Sequence, residues 1–208
     1  VLIGLLGYAG AGKDTVASLL PGFERRAFAD KLRELALKID PVVSFGERVG
    51  AKYLSEAVNE NGWDTAKRCL PGVRRLLQNL GQGAREVLWD TIWIDAVLPG
   101  NVVEYDALDI AVTDVRYRNE AERIRALRGR LWVVEKGGVK AVNDHPSEGY
   151  AQWVGEFPVV VIANDSTLED LALAVPEILR YERLRESAAP LVRYSARHVA
   201  ECVRKEAA

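Results

Sequence analysis

Methionine is absent from this chain, cysteine and histidine occur twice each, and lysine supplies only 8 of the 28 cations, the other 20 being arginine. Each shortage excludes something. Cys69 and Cys202 have no metal-type spacing, and with His145 and His198 as the only imidazoles a His/Cys metal cluster is not expected. Two cysteines make no disulfide framework, so a reducing cytoplasm is the expected compartment. No apolar run approaches the ~20 residues of a helical membrane span. The opening run, residues 1–6, is short and lacks a basic leader, so no secretory signal is expected. Acidic residues outnumber basic ones, 30 to 28, which leaves no positive excess to displace counterions along a nucleic acid. What is present is ordinary for a globule: 208 residues, 49% hydrophobic and 28% charged, enough to bury a core. The missing methionine carries no functional weight. The lean toward arginine has two readings, codon bias or the fit of planar guanidinium groups to phosphate, and composition does not choose between them.

The hydrophobic pattern alternates between short apolar runs and helical periodicity. Strands are expected at residues 1–6, 23–28, 109–113, 131–134 and 158–162, the last three each a compact apolar run of the kind found where both sheet faces are covered. Helices are expected near 13–20, at 30–39 with Leu32, Leu35, Ala36 and Ile39 on one face, and near 118–128. A further helix, capped by Ser166 or Thr167, should run to about 181, and a last one should cover roughly 190–205 with Val192, Ala196, Val199 and Val203 in a stripe. From about 41 to 98 the texture is helical with no good strand, and Pro71 suits a first helical turn. Strands alternating with helices imply parallel βαβ units, with sites outside the carboxyl ends of the strands. The reading is one α/β domain over 1–208, with a helical insertion at about 40–105.

The strongest local signal is Gly7-Tyr8-Ala9-Gly10-Ala11-Gly12-Lys13-Asp14-Thr15, with P-loop spacing directly after an expected strand and at the start of an expected helix. Glycines let the backbone curl so that N–H groups face a phosphate, and the helix N-terminus adds positive potential. Lys13 would reach the β- and γ-phosphates. The general motif has Ser or Thr after the lysine, but here Asp14 stands there and the hydroxyl follows at Thr15. A carboxylate beside a polyphosphate is repelled unless a cation lies between them. Asp14 is therefore expected to face a Mg²⁺-bound water or the acceptor.

Other constellations supply candidates for a second substrate. The run 110–114 ends in Asp114, a carboxylate placed to hold Mg²⁺ through water or, alternatively, to cap a helix. Val115 follows where ATPase motors commonly carry a water-activating Glu, which shifts weight toward transfer to a bound acceptor. Arg116 and Arg118 lie beside that strand end, where cationic clamping of a transferring phosphoryl group is needed. Arg75, Gln78 and Arg85 can share one side of a helix, suiting a monophosphate and a base edge, or can be an ordinary helix surface. His145, Ser147 and Glu148 fall in a strandless stretch at about 136–156, long enough to be a lid that closes over substrate and excludes water, or a plain turn around Pro146.

Together these residues resemble the P-loop nucleoside and nucleotide kinases, most closely the deoxynucleoside monophosphate kinases of tailed bacteriophages. The segments that carry the likeness are G-Y-A-G-A-G-K-D-T at 7–15, F-A-D-K-L at 28–32, R-x-L-L-Q-x-L-G at 74–81 with Arg85, D-V-R-Y-R-N-E at 114–120, H-P-S-E at 145–148 and A-N-D-S-T-L-E-D-L at 163–171. The last thirty residues match nothing in that pattern. The resemblance implies a five-stranded parallel sheet flanked by helices, a helical acceptor-binding insertion and a lid. It also implies Mg²⁺-dependent transfer of the ATP γ-phosphoryl group to a deoxynucleoside 5′-monophosphate. On it, Gly7, Ala9, Gly10, Ala11, Gly12, Lys13, Asp14 and Thr15 hold ATP and metal, in the G-K-x-T arrangement of nucleoside monophosphate kinases, and Asn164 lies near the adenine. Asp30, Arg75, Gln78, Gly81, Arg85, His145, Ser147 and Glu148 meet the acceptor, and Arg116 and Arg118 clamp phosphate. Gly81-Gln82-Gly83 departs from the G-T-E of many relatives and bears on base choice. No nucleic-acid or membrane partner is expected, and a homodimer is compatible.

Two other readings stay open on sequence. A small-molecule P-loop kinase acting on dephospho-coenzyme A explains the 7–15 loop equally well, though not the Arg75, Gln78 and Arg85 grouping. A nucleotide-binding switch or DNA-bound ATPase is disfavoured by the net charge of −2 and by Val115.

Overall fold

The computed structural model describes residues 1–46, 50–102, 105, 108–140, 149–184 and 191–207. In chain order it begins with β1 (Leu2–Leu6), α1 (Lys13–Ser18) and β2 (Glu24–Arg26). Then come α2 (Phe28–Ile39), β3 (Val42–Gly46), β4 (Gly50–Tyr53), α3 (Leu54–Cys69), α4 (Pro71–Val87) and α5 (Ile92–Val97). The chain continues with β5 (Ile110–Val112), α6 (Arg118–Ala126), β6 (Arg130–Glu135), two 3₁₀ turns (Tyr150–Gln152 and Val154–Glu156), β7 (Val159–Ala163), α7 (Leu168–Leu184), β8 (Leu191–Ser195) and α8 (Ala196–Glu206). Two compact units result: Val1–Ala27 with Gly100–Ala208, and Phe28–Pro99.

The first unit is built on a parallel sheet flanked by helices, in the order β2-β5-β1-β6-β7-β8. Side-chain parity sorts its two faces. Ile3 and Leu5 of β1 share a buried cluster with Trp132, Val134, Val160 and Ile162, covered by Leu171, Ala174, Val175 and Ile178 of α7. Gly4 opens onto the opposite face, where a Cβ would come within 2.5 Å of Ile124 Cδ1 and 3.2 Å of Leu131 Cδ2. The missing side chain is what lets α6 lie so close. Thr167 Oγ1 accepts the Asp170 N–H at 3.2 Å and starts α7, as the sequence suggests.

The sheet has six strands, one more than the pattern indicates. Residues 191–195 pair with β7 as an edge strand, and only 196–206 are helical. Leu191 is 60% exposed, so this strand lacks the continuous buried run that marks the others.

The second unit has its own core of Ala36, Leu54, Ala57, Ala66 and Val73, with Leu76, Leu77 and Leu80 packed against it. It also holds an antiparallel hairpin, β3 with β4, where helix alone was expected. Gly72 lets α4 approach that hairpin: a Cβ there would lie 2.4 Å from Val43 O. Of the four expected positions on α2 only Ala36 is buried, whereas Leu35 and Ile39 are 40% and 56% exposed, so the expected apolar face is narrower than its spacing implies. Among the described residues no helix is long and apolar enough to cross a membrane.

Candidate functional site

The glycine-rich turn leaves β1 and enters α1 directly. Gly7, Gly10 and Gly12 have φ of 139°, 84° and 101°, a region that L-side chains rarely adopt. At Gly7 space is also forbidding, since a Cβ would sit 2.4 Å from Val134 O. The Ala11 N–H donates to Tyr8 O at 3.1 Å, and the Val16 N–H to Gly12 O at 2.9 Å opens the helix. Lys13 folds back over the turn, donating from Nζ to Gly7 O at 2.6 Å and to Tyr8 O at 3.0 Å. Its ammonium is thus held over the loop by neutral carbonyls, which an anionic phosphate can replace with charge-assisted bonds. Thr15 is half-buried. The Asp14 side chain is 75% exposed and lies 3.5 Å from Arg25 Nε.

Asp114 emerges just past β5, the strand beside β1, where the Val115 N–H donates to Leu5 O at 3.2 Å. Val115 is buried at 2% exposure, with its Cγ2 3.0 Å from the position a Gly4 Cβ would take. The residue after Asp114 therefore faces the core and could not present a base to water. Beyond it the backbone is pinned by Glu120, itself 2% exposed, whose Oε2 accepts the N–H groups of Arg116 at 2.7 Å and Tyr117 at 3.1 Å. Arg116 is half-buried. Arg118 reaches outward between two carboxylates, with Nε 2.9 Å from Glu122 Oε1 and Nη2 2.8 Å from Glu156 Oε2. The hydrogen bond to Glu122, and then the charge of Glu156, hold its guanidinium even more firmly protonated than usual.

Asn164 follows β7 and returns to the glycine-rich turn. Its N–H donates to Glu135 O at 2.7 Å, and its Nδ2 donates to Ala11 O at 3.0 Å. Residues 7–15, Asp114, Arg116, Arg118 and Asn164 therefore all belong to the first unit, at the carboxyl ends of neighbouring strands.

The second unit carries the remaining described candidates. Asp30 stands in the first turn of α2 and accepts from Arg33 Nη1 at 3.4 Å. Arg75 is exposed on α4 and Gln78 is half-buried. Gly81 permits a close approach: a Cβ would lie 3.3 Å from Leu32 Cδ2, and its carbonyl accepts from Trp93 Nε1 at 3.0 Å. Arg85 is only 8% exposed and donates from Nη1 to Asp90 O at 2.8 Å, anchoring the turn after α4. His145, Ser147 and Glu148 lie outside the described residues.

Sequence reading passed over Glu120, Tyr150 and the group Asp165, Ser195 and Arg197. Only Glu120 left a signal, a glutamate at the third helical position after Tyr117, where a carboxylate can reach back to free N–H groups. Among the described residues no three His, Cys, Asp or Glu side chains converge on a metal position. Magnesium needs no such cage, because it keeps most of its waters and is held by one or two protein oxygens plus substrate phosphates. Thr15 and Asp114 are hard oxygen donors of that kind.

No family model matches the chain. It is similar to a mimivirus protein (Acanthamoeba polyphaga mimivirus) named "Putative deoxynucleotide monophosphate kinase", 29% identical over 189 residues that cover 82% of this chain and 91% of the relative. Among solved structures it can be aligned with a dephospho-CoA kinase from Campylobacter jejuni, over 99% of this chain and 96% of the other, at 12% identity and a TM-score of 0.34. A likeness at that level carries no argument about activity.

Proposed function

We propose that this chain is an ATP- and Mg²⁺-dependent kinase that phosphorylates a deoxynucleoside 5′-monophosphate to the diphosphate. The observation that carries the reading is the glycine-rich turn, with three glycines at positive φ and the Lys13 ammonium folded over two loop carbonyls. The similarity to the mimivirus protein, spread over most of both chains, supports the choice of acceptor.

The chemistry asks little of the protein beyond placement and charge. An acceptor phosphate oxygen attacks the γ-phosphorus, the bond from that phosphorus to the bridging oxygen of ADP breaks, and ADP leaves. A monophosphate loses its second proton near pH 6, so its oxygen is already a nucleophile at neutral pH and no general base is required. The burial of Val115, where a water-activating carboxylate would otherwise stand, agrees with that. Loop N–H groups and Lys13 would cradle the β- and γ-phosphates, while Arg116 and Arg118 would neutralise charge on the transferring group. Magnesium, when bound with ATP, screens the phosphates. Thr15 and Asp114 are the residues to hold it, Asp114 through water, with Asp14 facing the metal's waters or the acceptor. Asp30, Arg75, Gln78, Gly81 and Arg85 are the acceptor candidates of the second unit, and His145, Ser147 and Glu148 those of the lid.

A panel of acceptors with ATP tests this. The four deoxynucleoside monophosphates, dephospho-coenzyme A and a no-acceptor control should give ADP with at least one deoxynucleotide only. Phosphorylation of dephospho-coenzyme A alone, or ATP hydrolysis without any acceptor, would overturn it.

A further inference from the structure

A trans peptide points its C=O and the following N–H in opposite directions. At the peptide joining Ala11 to Gly12 the carbonyl is held from one side, by Asn164 Nδ2 at 3.0 Å. The same amide nitrogen lies 2.7 Å from where a Gly12 Cβ would be. The Gly12 N–H is thereby aimed away from Asn164. A loop of this type grips phosphate with its N–H groups, so whatever fixes that carbonyl fixes one of the donors.

Asn164 is itself fixed, and by the part of the chain that the motif pattern leaves unexplained. Its neighbour Asp165 is clasped by β8 and the first turn of α8. Ser195 Oγ donates to Asp165 Oδ2 at 2.9 Å, the Arg197 N–H donates to Oδ1 at 3.4 Å, and Arg197 Nη2 donates to Asp165 O at 2.9 Å. Ser195 Oγ also accepts the His198 N–H at 3.2 Å, which caps α8. From the same strand β8, Arg193 Nη1 lies 2.9 Å from Glu135 Oε2 at the end of β6, and Glu135 is the residue whose carbonyl receives the Asn164 N–H. Hydrogen bonds joined through the backbone of Asp165 and Glu135 therefore link the sixth strand to the phosphate-binding turn.

We infer that β8 and the start of α8 form a brace that presets the turn for polyphosphate, with Asn164, Asp165, Ser195 and Arg197 as positioning residues acting through the Ala11 carbonyl. The inference rests on the reading that this turn holds the triphosphate of the donor. It assigns Asn164 to the phosphates by way of the backbone, rather than to the base.

The test uses the full chain and two probes, inorganic tripolyphosphate and ATP, each with Mg²⁺, titrated by calorimetry beside thermal melts. Asn164→Ala and Ser195→Ala should weaken both probes by the same factor, about three- to tenfold for the loss of one neutral hydrogen bond. Ser195→Thr, which keeps the hydroxyl, should restore the wild-type value, and the acceptor KM should not move. A lower melting temperature with unchanged tripolyphosphate affinity would reduce the brace to an edge-strand tie and overturn the inference. A loss seen with ATP but not with tripolyphosphate would place Asn164 on the base and overturn it equally. If the wild type binds tripolyphosphate in a Lys13-dependent way yet transfers to no acceptor, the kinase reading fails while the brace is still measured. Failure of the wild type to bind either probe would sink both.

Discussion

Tyr8, in the glycine-rich turn, packs its ring 5.0 Å from that of Tyr150, with the planes tilted by 58°. Tyr150 is 7% exposed and opens the 3₁₀ turn within the stretch expected to form the lid. One side of the phosphate-binding turn thus rests on the segment that would bring the lid back to the sheet. Tilted aromatic pairs add about 0.5–1.5 kcal/mol beyond their buried area. Tyr8→Phe keeps the ring and should leave kcat/KM for ATP within about twofold, whereas Tyr8→Leu should lower it by up to about tenfold. Steady-state kinetics with varied ATP checks this, and an unchanged Leu variant would disconnect the ring pair from function.

Lys13 Nζ donates to two carbonyls of its own turn, Gly7 O and Tyr8 O, which places its ammonium over the phosphate-binding loop. Lys13→Ala should therefore nearly abolish phosphoryl transfer while leaving the circular dichroism spectrum and melting temperature close to wild type. A large loss of stability would show that the lysine holds the turn together rather than serving the phosphate.

Glu120 makes the opposite case, a buried carboxylate that acts through backbone. Removing it strands the Arg116 and Tyr117 N–H groups, which costs about 1–3 kcal/mol. For a chain of this size that is several degrees of melting temperature, at about 2–4 °C per kcal/mol. Glu120→Ala should also loosen Arg116 and Arg118 and lower kcat more than it raises the ATP KM. Thermal melts and kinetics on one preparation test both halves; a kcat equal to wild type would confine Glu120 to stability.

What the sequence disclosed follows from how local each feature is. Strands β1, β5, β6 and β7 are legible as compact apolar runs, whereas β2 is the charged Glu24-Arg25-Arg26 and shows only in its flanking apolar residues. The phosphate-binding turn is legible because its glycines and lysine are adjacent in the chain. The edge strand β8 is not: Val192, Ala196, Val199 and Val203 fall at helical spacing across a strand-to-helix junction, so the period of α8 overran its true start at Ala196. The hairpin of β3 and β4 is short and glycine-bounded, which gives no alternation long enough to register. Side-chain roles were hidden for a different reason. Arg85 looks in sequence like any arginine near a helix end, and only packing shows that it turns inward to Asp90. Asp165 and Ser195 are thirty positions apart, and no spacing announces their contact.

Arg118 sits 53% exposed between Glu122 and Glu156, and a solvent-screened ion pair of this kind holds only weakly. A phosphate can displace so weak a partner, yet it must still compete with it. Glu156→Gln should therefore lower the KM for the substrate whose phosphate Arg118 meets, by at most about fivefold. Arg118→Ala should raise that same KM and cancel the gain in the double variant. Additive effects of the two substitutions would mean that Glu156 acts elsewhere.

Arg75 and Arg85, both on α4, separate by burial. Arg85 is 8% exposed and tied to the Asp90 carbonyl, so Arg85→Ala removes a buried cation from its partner and should destabilise the chain by about 1–3 kcal/mol. Arg75 is exposed on the same helix, so Arg75→Ala should leave the melting temperature close to wild type. If Arg75 recognises the acceptor phosphate, its loss should raise the acceptor KM by about tenfold or more with the ATP KM unchanged, because a charge-assisted hydrogen bond is worth about 1.5–3 kcal/mol. Kinetics in which both KM values rise together for Arg75→Ala would remove it from the acceptor site. An Arg85→Ala variant that melts like wild type but loses acceptor affinity would show that Arg85, despite its burial, is the residue that grips the monophosphate.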